Sequence, residues 1–279
     1  MKSKFLPILP VIFLGLGISS YANAASNDYS GFFGGISGGM SNTFGRLNGN
    51  SNITFIDNAT VHTNTLGVVG NKIRGSHFKE AGDVKLGYSG LFGNRFFLGG
   101  ELGVGYLPGH LKGKFNSNSS ANDGAGSFFN ATLQIDARGK LRSWEYVADL
   151  TPGVLLCDTF LLFVRVGVAV NRIRLDTNTT FQYTDSILTN VNLQMPLSAK
   201  KRRAALRLGV GVAHYIADNL ILNVNYTYTY YGKITVSGIR NVPDLGNGAV
   251  ANGFTSSTTA KFNRQAFMIG LNYYFGSSR

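Results

Sequence analysis

Cysteine, proline and acidic residues are all scarce in this chain. Its single cysteine, Cys157, can form no internal disulfide, so no cystine framework supports the fold. Only 14 Asp and Glu stand against 26 Lys and Arg, a formal charge of +12 in 279 residues. Long apolar runs are missing too. A helix needs roughly 20 apolar residues to cross a bilayer, and nothing here approaches that length. The one candidate, Ile8 to Ile18, is short and contains Pro10. It follows Lys2 and Lys4 and leads to Ala22-Asn23-Ala24, the layout of a secretory signal with an A-x-A cleavage site. Residues 1–24 are therefore expected to be removed, leaving a domain over 25–279 with a charge of +10. An exported chain without a helical span is either soluble or a barrel. Four scattered histidines and one cysteine give no metal-ligand spacing, and no cofactor is expected.

What the chain does have is Gly (36), Phe (20) and Tyr (13) in short alternating segments. The last of these is the organising one. In 265–275, Phe267, Ile269, Leu271, Tyr273 and Phe275 share one face, while Ala266, Met268, Gly270, Asn272 and Tyr274 share the other. Period two marks a strand with one apolar side. Seven more such segments precede it, at about 28–44, 79–91, 95–107, 141–156, 162–171, 203–216 and 220–236. In the fifth, Leu162, Val164, Val166, Val168 and Val170 alternate with Phe163, Arg165, Gly167, Ala169 and Asn171. Each segment has at least roughly the 9–11 residues that a tilted strand needs to span a bilayer.

The connections sort by length. Short turns at Phe92-Gly93-Asn94, Cys157-Asp158-Thr159 and Ala217-Asp218-Asn219 alternate with long polar stretches near 41–78, 108–140, 176–201 and 238–263. Membrane barrels have this asymmetry, with short periplasmic turns and long extracellular loops. The expected fold is all-β: an eight-stranded antiparallel transmembrane β-barrel, an up-and-down meander with both termini periplasmic. Its small inward residues suit a narrow lumen filled by side chains.

The closing strand resembles that of bacterial outer-membrane barrels. Gly270, Tyr273 and Phe275 look like the C-terminal signal such proteins present to the barrel assembly machinery, although Gly276 to Arg279 extend beyond the aromatic. The mature chain as a whole is similar to the OmpA-type transmembrane domain and to opacity-like surface antigens. That resemblance implies a Gram-negative outer-membrane location among lipids and lipopolysaccharide, a monomer, and an interior charge network.

Two sets of residues stand out. Lys85, Glu101, Asp149 and Arg165 face inward a few residues above the short turns, with Glu145 and Arg207 somewhat higher. Unpaired charges there would be costly to desolvate, so these are expected to pair across the lumen, as a static plug or as a gate. Arg172, Arg174, Lys200, Lys201, Arg202 and Arg203 form a basic rim at one hairpin mouth, with Lys112, Lys114, Arg138, Lys140 and Arg142 nearby. They are expected to meet lipopolysaccharide phosphates or acidic glycans, or to be a solvated edge of snorkelling side chains. A secretory signal makes nucleic acid an improbable partner for this positive charge.

Catalysis has little support. Some eight-stranded barrels modify lipid A with a His-Ser-acid set, but His62, His77 and His110 fall in long connections, and the surroundings of His214 do not match the His-x-Ser-Asn pattern of barrel deacylases. The expected function is surface interaction without enzymatic activity: adhesion, host or lipopolysaccharide contact, or membrane integrity. A narrow ion-conducting porin is the alternative, and a lipid A-modifying enzyme a distant third.

Overall fold

A computed structural model of the chain describes residues 29–57, 60–68, 78–93, 95–122, 128–157, 159–185, 191–217, 219–240 and 250–275. The expected signal at 1–24 and the tail after Phe275 lie outside the described residues. The strands within them are β1 (Gly31–Asp57), β2 (Thr60–Val68), β3 (Lys79–Phe92), β4 (Phe96–Tyr106), β5 (Gly109–Asn122), β6 (Phe128–Leu141), β7 (Trp144–Cys157), β8 (Phe160–Asp185), β9 (Val191–Ala217), β10 (Leu220–Arg240) and β11 (Val250–Phe275).

Eight of them close a ring. β1 pairs with β3, β3 with β4, β4 with β7, β7 with β8, β8 with β9, β9 with β10 and β10 with β11, and β11 returns to β1, all antiparallel. Closure removes the free edges that a sheet in hydrocarbon cannot leave unpaired. Outside the ring, apolar side chains lie in the open: Phe32, Leu86, Phe96, Leu102, Tyr146, Leu150 and Val210 are all more than half exposed. On β8 this belt runs from Leu162 to Val170 and stops at Arg172. That is nine residues, the span a tilted strand needs. Tyr106 stacks edge-on against Trp144 at 5.5 Å near the belt's upper margin, where membrane barrels carry aromatic girdles.

The four stretches expected to be long loops are strand over most of their length. β1 runs to Asp57 instead of ending near Phe44, β8 reaches Asp185, β9 starts at Val191, β10 reaches Arg240, and β11 starts at Val250. β5 and β6 occupy most of the second stretch, and β2 folds back on β1 in the first. The reason lies in their inward face. Thr177, Thr179, Ser51, Ser256 and Thr258 are buried there, and Ser256 Oγ lies 3.1 Å from Ser51 Oγ and 2.9 Å from Thr179 Oγ1. Small hydroxyl side chains, three of them linked through Ser256, fill inward positions that hydropathy scores as polar.

Above the belt the ring opens into two sheets. β9 and β10 stay paired only up to Leu206 opposite Tyr230. Beyond that point β9 continues with β8, β6 and β5, while β10 continues with β11, β1 and β2. The parting occurs at a bulge between Tyr230 and Gly232, where Gly232 takes φ 77°, a left-handed conformation that suits glycine. The two sheets face each other across one apolar core. Leu111, Leu133, Ile135, Ile173, Leu175 and Phe181 on one side meet Leu47, Ile234, Phe254, Ala260 and Phe262 on the other. The Phe181 and Phe254 rings lie 5.8 Å apart, and Phe262 occupies the space over Gly139, where an added Cβ would come within 2.4 Å of the ring.

If this upper half is a packed core rather than a set of loops, Phe262→Ala should cost about 3–5 kcal/mol, the usual penalty for emptying a buried aromatic site. Limited proteolysis should then cut the hairpins of the variant. Its ring should still migrate as a folded barrel on an unheated detergent gel.

Candidate functional site

The lumen is built in layers. At the short-turn end Tyr29, Phe33, Phe97, Leu161, Phe163, Tyr215 and Tyr274 form a buried aromatic floor. It is tied by hydrogen bonds as well: the Tyr29 hydroxyl donates to the Thr159 carbonyl at 3.0 Å, and Ser89 Oγ donates to the Tyr29 carbonyl at 2.7 Å. Above the floor lies the charge layer, and above that the apolar core of the two sheets. The cavity between floor and charges has about 30 Å³, room for a water molecule or two.

The six inward charges expected from the sequence are all buried, and the strands bring them together in two groups. Glu101 and Asp149 lie opposite each other on β4 and β7. Arg165 bridges them, with Nη2 2.7 Å from Glu101 and Nε 3.5 Å from Asp149. Lys85 reaches Glu101 at 3.7 Å, and Arg207 reaches Asp149 at 2.7 Å. The close approach of β7 to β8 depends on Gly167, since a Cβ there would sit 2.1 Å from the Asp149 carboxylate. An amide ladder extends the network: Arg165 donates to Asn225 at 3.1 Å, Asn225 to Asn223 at 3.2 Å, and Asn223 to Asn272 at 3.2 Å.

Glu145 belongs to the second group, whose centre sequence reasoning missed. Arg264, 1 % exposed, donates to Glu145 at 2.7 Å, to the Tyr231 hydroxyl at 2.8 Å and to the Leu107 carbonyl at 2.7 Å. Tyr231 also donates to Glu145, as does Asn171 at 3.4 Å. The bulge in β10 is what turns Tyr231 inward. The signal for Arg264 was its alternation with Ala266 and Met268, one step beyond the expected start of the last strand.

The basic rim divides between two faces of β9. Arg172 lies opposite Arg202 and Arg174 opposite Lys200, all exposed on the outer face. Lys201 and Arg203 alternate onto the other face at the strand's free edge, where Arg203 donates to the Lys233 carbonyl across the gap to β10 at 3.1 Å. Arg240 bonds the Gln194 carbonyl across the same gap. The outer face gathers the other cations too. His110, Lys140, Arg174 and Lys200 line up in one row across β5, β6, β8 and β9, and Lys112, Arg138, Asp176 and Ser198 in the next. Burial would raise the Asp176 pKa, but hydrogen bonds from Ser198 and Arg174 outweigh it and hold the group below the usual carboxylate range. Partial burial and the neighbouring cations, Lys79 and Lys112 foremost, hold His110 below the ordinary histidine value, so it adds no charge at neutral pH. A groove of about 690 Å³ on this face is lined by Lys112, Lys114, Arg138 and Arg174, and by Asp136 and Asp176, which pair with Lys114 at 3.7 Å and Arg174 at 2.7 Å.

In the closing strand, Tyr273 and Phe275 are exposed on the belt with ring centroids 5.4 Å apart. Gly270 faces inward against Ser37, where a Cβ would meet Ser37 Oγ at 2.4 Å. His214 bonds the Thr159 carbonyl at the short-turn end (3.1 Å), far from the row that holds His110. His77 and the side chain of His62 lie outside the described residues.

A closed ring of eight antiparallel strands, with an apolar belt outside and a paired charge layer within, defines an eight-stranded outer-membrane β-barrel of the Gram-negative type. The chain is 24 % identical over 188 residues to outer membrane protein PagN of Salmonella typhimurium, a match covering 64 % of this chain and 73 % of that one. Among solved structures it is similar to OprG of Pseudomonas aeruginosa, at 13 % identity and a TM-score of 0.38, with 91 % of this chain and all of that one covered. It is also similar to Ail of Yersinia pestis, solved with the heparin analogue sucrose octasulfate, at 12 % identity and a TM-score of 0.32, covering 88 % and 99 %. No protein-family model matches the chain.

Two outcomes follow from the lumen. Arg264→Met should destabilise the barrel by about 3–5 kcal/mol by leaving Glu145 buried without its cation, and adding Glu145→Leu should recover most of that loss in urea unfolding. In a planar bilayer the wild type should pass negligible current. Arg165→Ala should stay closed as well, because apolar layers remain above and below the charges.

Proposed function

We propose that this barrel is a non-enzymatic surface adhesin whose two-sheet extension projects from the cell and whose cationic outer face binds acidic glycans. The hairpin end is then extracellular, the short turns and both termini are periplasmic, and the aromatic closing strand serves assembly. The observation that carries the reading is the row Lys140, Arg174 and Lys200 with the rows beside it. From Arg172 to Asn178 the face climbs about 20 Å along β8, at roughly 3.3 Å per residue. A lipid head group touches only the foot of such a face. A polyanionic chain can lie along all of it and meet several charges at once.

Rigidity supports the same reading. The cations stand on paired strands over a packed core, so little ordering entropy is lost when a ligand binds. The plugged lumen leaves the outer surface as the place where this protein meets other molecules.

Binding of the refolded protein to immobilised heparin or dextran sulfate tests this. The wild type should bind and weaken steeply as salt rises, while neutral dextran should not compete. Arg174→Glu combined with Lys200→Glu should raise the Kd at least about tenfold, equivalent to about 1.4 kcal/mol. Equal binding by that variant, or salt-independent binding by the wild type, would overturn the adhesin reading.

A further inference from the structure

The opposite sheet carries a different positive feature. β10 and β11 contain no carboxylate, and in β1 the sole acid is the final residue, Asp57. On their outer face Arg46 lies directly opposite Lys261, and Lys261 directly opposite Lys233. Strands are about 4.8 Å apart, so three like charges share a line of about 10 Å. Facing like charges repel, and the one acid on these strands, Asp57, lies eleven residues along β1 from Arg46.

The row stands at a particular height. The next row toward the belt is Phe44, Asn263 and Tyr230. Phe44 lies 6.2 Å from the ring of Tyr228, and Lys261 Nζ lies 5.1 Å from the centroid of Tyr230. These aromatics continue the girdle around this side, so the cations sit at the level of head groups. Above them the face turns neutral: Asn48, Thr259 and Thr235 form the following row. A groove of about 480 Å³ runs among Phe44, Arg46, Asn48, Lys233, Lys261 and Asn263. Asn263 is nine-tenths buried, and its side-chain oxygen has no hydrogen-bond partner.

We propose that Arg46, Lys233 and Lys261 form a binding site for the phosphorylated sugar head group of an outer-leaflet glycolipid. Phosphate oxygens accept from the three cations. A turn of the buried Asn263 side chain lets its oxygen accept from a sugar hydroxyl, and Phe44 walls the groove on its apolar side. Snorkelling cations at a membrane edge would also sit at this height. They would not need to line up without counter-charges over an unpartnered buried amide. The proposal rests on the hairpin end facing outward. It does not rest on adhesion, and the glycan face lies on the other sheet.

The test uses the refolded full-length barrel in detergent micelles, with bisphosphorylated lipid A as the probe and native mass spectrometry as the readout. The wild type should retain one lipid A. The triple variant Arg46→Gln, Lys233→Gln, Lys261→Gln should bind at least tenfold more weakly, and Asn263→Ala should lose a smaller factor. Lipid A stripped of its phosphates should fail to compete. The triple variant should keep its heparin binding, and the Arg174→Glu, Lys200→Glu variant should keep its lipid. Should the triple variant fail to fold on an unheated gel, single Lys261→Gln and the dephosphorylated lipid carry the same decision. Undiminished retention by the variants, or equal retention of the dephosphorylated lipid, overturns the proposal. Protease shaving of intact cells reads the orientation separately: hairpins cut from outside support it, and protected hairpins overturn it.

Discussion

Hydrocarbon cannot hydrogen-bond a peptide group, and that constraint decides where this chain must be a ring and where it need not be. Within the belt each of the eight strands has a neighbour on both sides, ending with Phe32 opposite Phe275. Past the belt, water supplies partners, and the ring parts between β9 and β10. The membrane's edge is thus written into the pairing itself: Leu206 and Tyr230 form the last shared pair, and beyond it the outer faces carry Arg202, Lys200 and Ser198 on β9 and Lys233, Thr235 and Ser237 on β10.

The interior answers a second problem, how to fill a tube too narrow to hold a column of water. Aromatic rings close one end and the apolar core of the two sheets closes the other. Between them, four cations share three carboxylates at distances of 2.7–3.7 Å. Charges so placed add little net stability compared with a packed apolar layer, but removing either partner leaves the other stranded. The lumen is therefore specified more than it is strengthened. An ion entering from either end would first have to cross a dry layer.

Much of this was legible in the sequence because the lipid side demands strict alternation. Leu162 to Val170 and Phe267 to Phe275 announce both their strands and their inward neighbours, which is how Lys85, Glu101, Asp149 and Arg165 could be placed inside. The extension was harder to read. Its buried face uses Thr, Ser and Gly beside Leu and Phe, so the alternation in hydropathy fades there. Arg264 was lost because β11 begins fifteen residues before its clear pattern does. Tyr231 was lost because a bulge breaks the period it would have followed. The row of Arg46, Lys233 and Lys261 depends on cross-strand register between residues some two hundred apart, which no local pattern contains.

The parting of β9 from β10 also has a mechanical meaning. The cationic face proposed to hold glycans belongs to the β9 side, and the row of Arg46, Lys261 and Lys233 to the β10 side. Were a ligand held on that face, tension would pull across the seam between them, which is stitched by Arg203 and Arg240 instead of by a ladder of backbone bonds. A seam of that kind opens stitch by stitch, and its lowest point is the bulge that holds Tyr231 against Glu145. Load gathered at the outer tip would be delivered to the top of the plug, so this barrel is braced from within at the place where force arrives.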